Sequence, residues 1–151
     1  MRREIQDALE LGRADRWDEA IAKMKAVVDE EPTADQWAYL GTAFRSCSRW
    51  EEADAAYARA LAADAAHVGA LWGLGLSRGM QGDTEGAAEM LGQAVEVAPR
   101  FAPPRFQLAL TLLEQGDEVS ALAHAEVVRA LDERYASKLD AILGERGLLP
   151  G

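Results

Sequence analysis

The stretch "WAYLGTAFRSCSRWEEADAAYARA", residues 37–60, decides the fold of this chain. Trp37, Leu40 and Phe44 recur at the spacing of one helix face, and a second run of apolar and small residues begins at Trp50. Alanine and leucine are abundant while β-branched residues are few, which also favours helix. The stretch therefore predicts two short amphipathic helices that are joined by a tight turn.

This two-helix pattern recurs along the chain with a fixed period. Small residues recur at intervals of 33, 34 and 34 residues, at two points of each unit where two helices could cross closely. They are Ala8, Gly41, Gly75 and Ala109 in the first helices, and Ala20, Ala53, Ala87 and Ala121 in the second. First helices are predicted near 2–14, 34–47, 67–80 and 102–115, and second helices near 17–30, 50–63, 84–97 and 118–131.

The pattern resembles the tetratricopeptide repeat family. Unit two carries nearly all of its characteristic positions: Trp37, Leu40, Gly41, Phe44, Trp50, Ala53, Tyr57 and Ala60. The resemblance implies an all-α, right-handed superhelical α-solenoid of antiparallel helix pairs. We expect one domain over 1–151 with repeats at about 1–33, 34–67, 68–101 and 102–133. An amphipathic capping helix at about 134–144 and a loose tail at 145–151 follow.

Composition excludes several classes of function. The net charge of −10 would repel a nucleic-acid backbone or an anionic membrane surface, and the basic residues form no cluster in the sequence. The single cysteine, Cys47, cannot form an internal disulfide. No apolar run approaches the roughly 18 residues of a membrane span, and the charged start does not read as a signal peptide. We therefore expect a cytoplasmic protein.

The glycine-rich stretch "ALWGLGLSRGMQG", residues 70–82, invites comparison with the phosphate-binding loop of a dinucleotide enzyme. No convincing strand precedes it, so Gly75 is better interpreted as a helix-crossing residue and Gly82 as a turn residue. Gly69, Gly73 and Gly79 have no counterparts in the other units. We hypothesise that they leave a bare patch on a groove floor around Trp72.

Catalytic or metal-binding groups do not converge in this sequence. His67 and His124 lie in different units, and neither has a second histidine or a cysteine at ligand spacing. No serine–histidine–acid or cysteine–histidine arrangement is identifiable. The sequence therefore predicts no enzyme, no cofactor and no metal site.

A concave groove is the binding site that the family resemblance implies, with the first helices lining it. The predicted first helices carry six arginines and five acids, whereas the second helices carry four bases and twelve acids. The inner side is thus nearly neutral and the outer side acidic. The expected groove residues are Ile5, Leu9, Ala38, Tyr39, Thr42, Arg45, Trp72, Gly73, Leu76, Gly79, Phe106, Gln107 and Leu110.

Aromatic anchors and missing basic residues define what this groove is expected to bind. Trp72 and Phe106 are the expected apolar anchors, and Tyr39 is an amphipathic one. Family members that grip a peptide's C-terminal carboxylate use lysine, asparagine and arginine where this chain has, among others, Ile5, Leu9 and Gly73. A carboxylate clamp of that type is therefore not expected.

The sequence predicts a protein-interaction module or adaptor that binds an apolar or amphipathic segment of another protein. One alternative is a chaperone for hydrophobic secreted subunits, similar to type III secretion translocator chaperones. Another is a self-assembling scaffold, in which Leu148 and Leu149 of the tail enter the groove of a neighbouring copy. Such a contact does not close into a ring, and a homo-oligomer is therefore an alternative to binding of another protein. Arg78 replaces a large apolar residue of the family pattern, and we expect it either at the groove rim or paired with an acid of the next unit.

Overall fold

The computed structural model describes residues 3–28 and 32–149, which form nine α-helices. The predicted helix start at residue 2 and the predicted helix end at residue 30 lie outside the described residues, and every other predicted helix end lies within one residue of the observed one. The helices are α1 (Arg3–Arg13), α2 (Trp17–Val28), α3 (Ala34–Ser46), α4 (Trp50–Ala63), α5 (Val68–Met80), α6 (Thr84–Val97), α7 (Ala102–Glu114), α8 (Glu118–Leu131) and α9 (Glu133–Glu145).

One residue with a left-handed backbone reverses the chain inside each helix pair. Gly82 and Gly116 have φ values of 84° and 81°, which glycine adopts without strain. At the corresponding points of the first two pairs, Asp15 and Ser48 have φ values of 60° and 59°. A side chain is disfavoured in this conformation, least so for aspartate and asparagine. The turn geometry is therefore shared although only two of the four turns contain glycine.

Polar side chains begin most of the later helices. Thr33 and Gln36 form a capping box at the start of α3, because each side chain bonds the backbone of the other. Asp83, Asp117 and Asp132 accept backbone N–H groups at the starts of α6, α8 and α9. These caps satisfy N–H groups that the helices themselves leave without partners.

The small residues of the repeat lie where helices cross. Ala20, Ala53, Ala87 and Ala121 are all buried. A Cβ atom at Gly75 would lie 2.8 Å from Cγ of Leu91 on α6, so the close approach of α5 and α6 depends on glycine there. This confirms that Gly75 is a helix-crossing residue.

Each helix packs against the next one along the chain, and α5 also contacts α3 and α7. Three buried clusters follow one another from α1 to α9 instead of forming one central core. No strand occurs in the described residues. The predicted all-α solenoid of antiparallel helix pairs is thus confirmed, and contacts between neighbouring units hold it together.

The ninth helix covers the end of the stack. Leu139 and Leu143 are buried against α7 and α8, and Tyr135 packs beside them. Leu148, in the tail that we expected to be loose, also packs on this cluster, and its N–H donates to the carbonyl oxygen of Leu143 at 2.8 Å. The tail is thus attached to the cap at least as far as Leu148. Within residues 3–28 and 32–149, no helix combines the length and apolar character needed to cross a membrane.

Candidate functional site

The inner side of the solenoid is formed by the first helices of the pairs. α5 contacts both α3 and α7, whereas no two second helices are in comparable contact in the described chain. The layer with the closer spacing is the inner side of the curve. Two depressions lie along it, which we call the N-terminal depression and the central depression.

The N-terminal depression has a volume of about 540 Å³ and an apolar floor. Ile5, Leu9 and Tyr39, three of the expected groove residues, lie together in it, and all three are half-buried. The Tyr39 hydroxyl donates to the carbonyl oxygen of Ala8 at 2.8 Å. Burial raises the pKa of Tyr39 above its usual value, and the nearby Arg13 only partly opposes this, so the phenol stays a neutral donor.

The central depression lies between α3, α5 and α7 and has a volume of about 310 Å³. It brings together five of the expected groove residues, of which Leu76 and Leu110 supply half-buried aliphatic surface. The lining residues are Arg45, Gly75, Leu76, Gly79, Met80, Leu91, Gln107, Leu110, Thr111 and Glu114. The depression therefore combines an apolar middle with one base and one acid.

Arg45 and Thr42 are held by a tyrosine that is not among the expected groove residues. Tyr57 on α4 is fully buried, yet its hydroxyl reaches the inner layer. It lies 2.9 Å from Oγ1 of Thr42 and accepts a hydrogen bond from Nε of Arg45 at 3.2 Å. The buried phenol thereby fixes one edge of the Arg45 guanidinium.

Gly73 does not contribute a bare patch to the groove, which corrects the hypothesis drawn from the glycine-rich stretch. Gly73 is buried, and a Cβ atom there would lie 2.4 Å from Cζ of Tyr57. The missing side chain makes room for the Tyr57 ring, leaving no space for a partner at this position. Gly79, in contrast, is exposed, and a Cβ there would meet only Cβ of Ala87 at 3.8 Å.

Trp72 is half-buried, like the residues that line the two depressions, but it lies in neither of them. It packs against the cluster of α6 and α7 residues, and its ring makes an edge-to-face contact with Phe101 at a centroid distance of 5.6 Å. Its Nε1 is buried and has no hydrogen-bond partner within the described chain. Trp72 therefore contacts the next repeat, through Phe101 before α7 and through the α7 residues of that cluster.

Phe106 and Ala38 are likewise buried instead of lining the groove. Each is only 7% exposed. Phe106 belongs to the cluster under the capping helix and packs against Tyr135 at a centroid distance of 4.8 Å. The docking of α9 therefore removes the second expected aromatic anchor.

Arg78 pairs inside its own unit instead of with the next one. Its Nη1 lies 3.5 Å from Oδ2 of Asp83, the residue that caps α6. His67 has a structural role as well, because its Nδ1 accepts the N–H of Ala70 at the start of α5. His124 lies 3.1 Å from Nη1 of Arg105. No group of three potential metal ligands occurs in the described residues.

Met80, Thr111 and Glu114 also line the central depression, although they are not among the expected groove residues. On α7 the helical spacing contained a usable signal, since positions three, four and seven residues after Gln107 share its face. The contribution of Tyr57 to the groove was harder to predict from the sequence than that of the α7 residues. Its role depends on glycine at position 73 of a different helix pair, and spacing within one unit does not reveal that.

Comparisons with known proteins agree with this architecture. Residues 69–100 match the family model described as Tetratricopeptide repeat. A crystal structure of MamA is similar with a TM-score of 0.80 and 21% identity, over 89% of this chain and 79% of that one. TTC0263, a thermophilic TPR protein of Thermus thermophilus, gives 0.79 and 19%, over 96% and 82%.

A third similar structure contains a bound peptide. The first TPR of Spaghetti (RPAP3), bound to the HSP90 peptide SRMEEVD, has a TM-score of 0.72 and 16% identity, over 75% of this chain and 90% of that one. No curated protein matches this chain significantly. Together these comparisons show that the chain has the tetratricopeptide repeat fold, which its described residues form as four helix pairs and a capping helix.

Proposed function

We propose that this tetratricopeptide-repeat solenoid is a protein-interaction module that binds an apolar or amphipathic segment of another protein along its inner groove. The observation that carries the proposal is the aliphatic surface left open there. Ile5 and Leu9 line the N-terminal depression, and Leu76 and Leu110 line the central one. Apolar side chains that converge in a depression bind apolar groups, because burying both surfaces removes them from water.

The peptide-bound RPAP3 structure supports the class of ligand. Proteins of this fold are typically interaction modules without catalytic activity. The chemistry of this groove differs from a carboxylate clamp, since Ile5, Leu9 and the buried Gly73 stand at expected clamp positions. We therefore expect affinity to depend on apolar contacts in the interior of the bound segment.

Selection from a phage-displayed library of random 12-residue peptides tests the proposal. Wild-type protein should enrich sequences with apolar residues at defined spacing. Replacing Leu76 and Leu110 together by serine should lower the affinity for the enriched peptides at least tenfold, because two desolvated apolar contacts are lost. Fluorescence anisotropy with labelled peptides measures the affinity, and circular dichroism measures the helix content.

Val119→Ser provides the matched control for this experiment. Val119 is 82% exposed on α8 and lies outside both depressions. Val119→Ser replaces an apolar side chain by serine, as the double variant does, but it leaves the groove unchanged. Equal loss of binding in the control, or unchanged binding in the double serine variant, would contradict the proposal.

The two alternative functions make different demands on the same chain. A chaperone for hydrophobic subunits would use the same groove, so it differs in the identity of the client and not in the site. Self-assembly through Leu148 and Leu149 would require Leu148 to leave the cluster on which it packs. Sedimentation of the chain at rising concentration, with and without residues 145–151, separates self-assembly from binding of another protein.

A further inference from the structure

Arg45 is the single cation among the described residues that line the central depression. Its guanidinium carries a full positive charge at any physiological pH, because arginine does not release its proton in proteins. Half-buried Leu76 and Leu110 line the same depression. A charged group beside apolar surface restricts which segment can bind, since its partner must be matched in position as well as in charge.

The charge of Arg45 is not compensated within the described chain. Tyr57 accepts a hydrogen bond from its Nε but is neutral, and no carboxylate of the described residues lies within ion-pairing distance of Arg45. Arg49, by contrast, pairs with Glu52 at 2.7 Å in the same part of the fold. Arg45 is thus positioned by a neutral partner while its charge stays available.

The buried phenol makes this position rigid. The Tyr57 ring fills the space over Gly41 and Gly73, where a Cβ atom would lie 2.8 Å and 2.4 Å from the nearest ring carbons. Its hydroxyl also lies 2.9 Å from Oγ1 of Thr42. A guanidinium held on one edge loses less side-chain entropy when it binds an anion than a free surface arginine does.

We propose that the segment bound in the central depression carries an Asp or Glu side chain that binds the guanidinium of Arg45, beside an apolar side chain that contacts Leu76 and Leu110. This inference rests on the proposed function and names the chemistry of its ligand. The carboxylate is the natural partner of a guanidinium, because two parallel N–H groups can bind its two oxygens. The occupant is therefore an acidic–apolar segment of another protein.

The net negative charge of the protein opposes binding of an acidic segment. A chain with a net charge of −10 attracts basic peptides at long range and repels acidic ones. Preference for an acidic residue would therefore oppose the average field and would have to arise from a local contact. Within the described lining of the central depression, Arg45 is the group that supplies such a contact.

Peptides enriched by the phage library serve as the probe. We expect Asp or Glu at one fixed position relative to the apolar residues, and replacing that Glu by Gln should weaken binding about tenfold. Arg45→Gln should remove this preference, so that the Glu peptide binds no better than the Gln peptide. Arg45→Lys should retain part of it, because lysine keeps the charge but not the paired N–H geometry.

Two further variants separate positioning from charge. Tyr57→Phe should reduce the Glu-over-Gln preference several-fold and leave binding of the Gln peptide unchanged, because only the support of Arg45 is lost. Arg100→Gln is the matched control for Arg45→Gln, because Arg100 is exposed and lies outside both depressions. It removes the same charge and should leave the preference for Glu intact.

The possible outcomes distinguish this inference from the proposed function. Enrichment of apolar peptides without a preferred acidic position would overturn the proposed role of Arg45, while the proposal that the protein is an interaction module would stand. Equal binding of Glu and Gln peptides to wild type would do the same. Failure to enrich any peptide would overturn the proposed function and this inference with it.

Discussion

The ring of Tyr57 occupies the space that a side chain at residue 73 would require. A Cβ atom on Gly73 would lie 2.4 Å from Cζ and 2.5 Å from the hydroxyl oxygen of Tyr57. The two residues belong to neighbouring helix pairs, so the glycine sets how closely α4 and α5 approach. Through the Tyr57 hydroxyl, the same contact positions Arg45 in the central depression.

Gly73→Ala should destabilise the protein by about 1–3 kcal/mol, because the added methyl group overpacks a filled space and outweighs the higher helix propensity of alanine. Urea denaturation followed by circular dichroism measures the free energy of unfolding. Gly92→Ala on α6 is the control, since a Cβ there meets nothing within 4 Å. That variant should be stabilised by up to about 1 kcal/mol. Equal effects of the two substitutions would refute the packing argument.

Ser48→Gly should stabilise the protein by about 1 kcal/mol. Ser48 has a φ of 59°, where a Cβ atom approaches a neighbouring carbonyl oxygen, and glycine removes that contact. Asp15→Gly at the corresponding turn should increase stability less than Ser48→Gly does. Oδ1 of Asp15 accepts a hydrogen bond from Nε1 of Trp17 at 2.6 Å, and glycine would remove this bond. Thermal unfolding midpoints of the two variants compare the effects. A lower midpoint for Ser48→Gly would show that the turn is not strained.

Phe106→Ala should cost about 3–5 kcal/mol of stability, as expected for a large core truncation. Phe106 is 7% exposed and lies under the capping helix. Leu110→Ala, in the open part of the same helix, should cost considerably less because Leu110 is only half-buried. Urea unfolding of both variants tests this order. A larger loss of stability for Leu110→Ala than for Phe106→Ala would contradict the buried position of Phe106.

Acidification should destabilise the protein through His124. Burial first, and the Arg105 guanidinium second, lower the pKa of His124 below its ordinary 6.5. Below pH 6.5 the unfolded chain therefore binds a proton at this residue that the folded chain does not, and the stability present at neutral pH falls as the pH is lowered. Between pH 7.5 and pH 5.5, wild type should lose more unfolding free energy than His124→Gln. Equal losses, measured by urea unfolding at both pH values, would exclude His124 as the cause.

Local sequence determined the helices and their repetition. Helix ends depend on nearby residues, and the spacing of Gly41, Gly75 and Ala109 already indicates where helices cross. Eight of the expected groove residues also line the two depressions, because helical periodicity fixes which residues share a face.

The tertiary structure alone decided which of those residues remain open to a partner. Trp72 packs against Phe101 from the chain before α7, and Phe106 is covered by the capping helix. Gly73 holds the ring of Tyr57 from the preceding repeat. Each of these outcomes depends on how one helix pair rotates and docks against the next. Periodicity within a single repeat cannot specify that arrangement, because the contacting side chains come from different repeats.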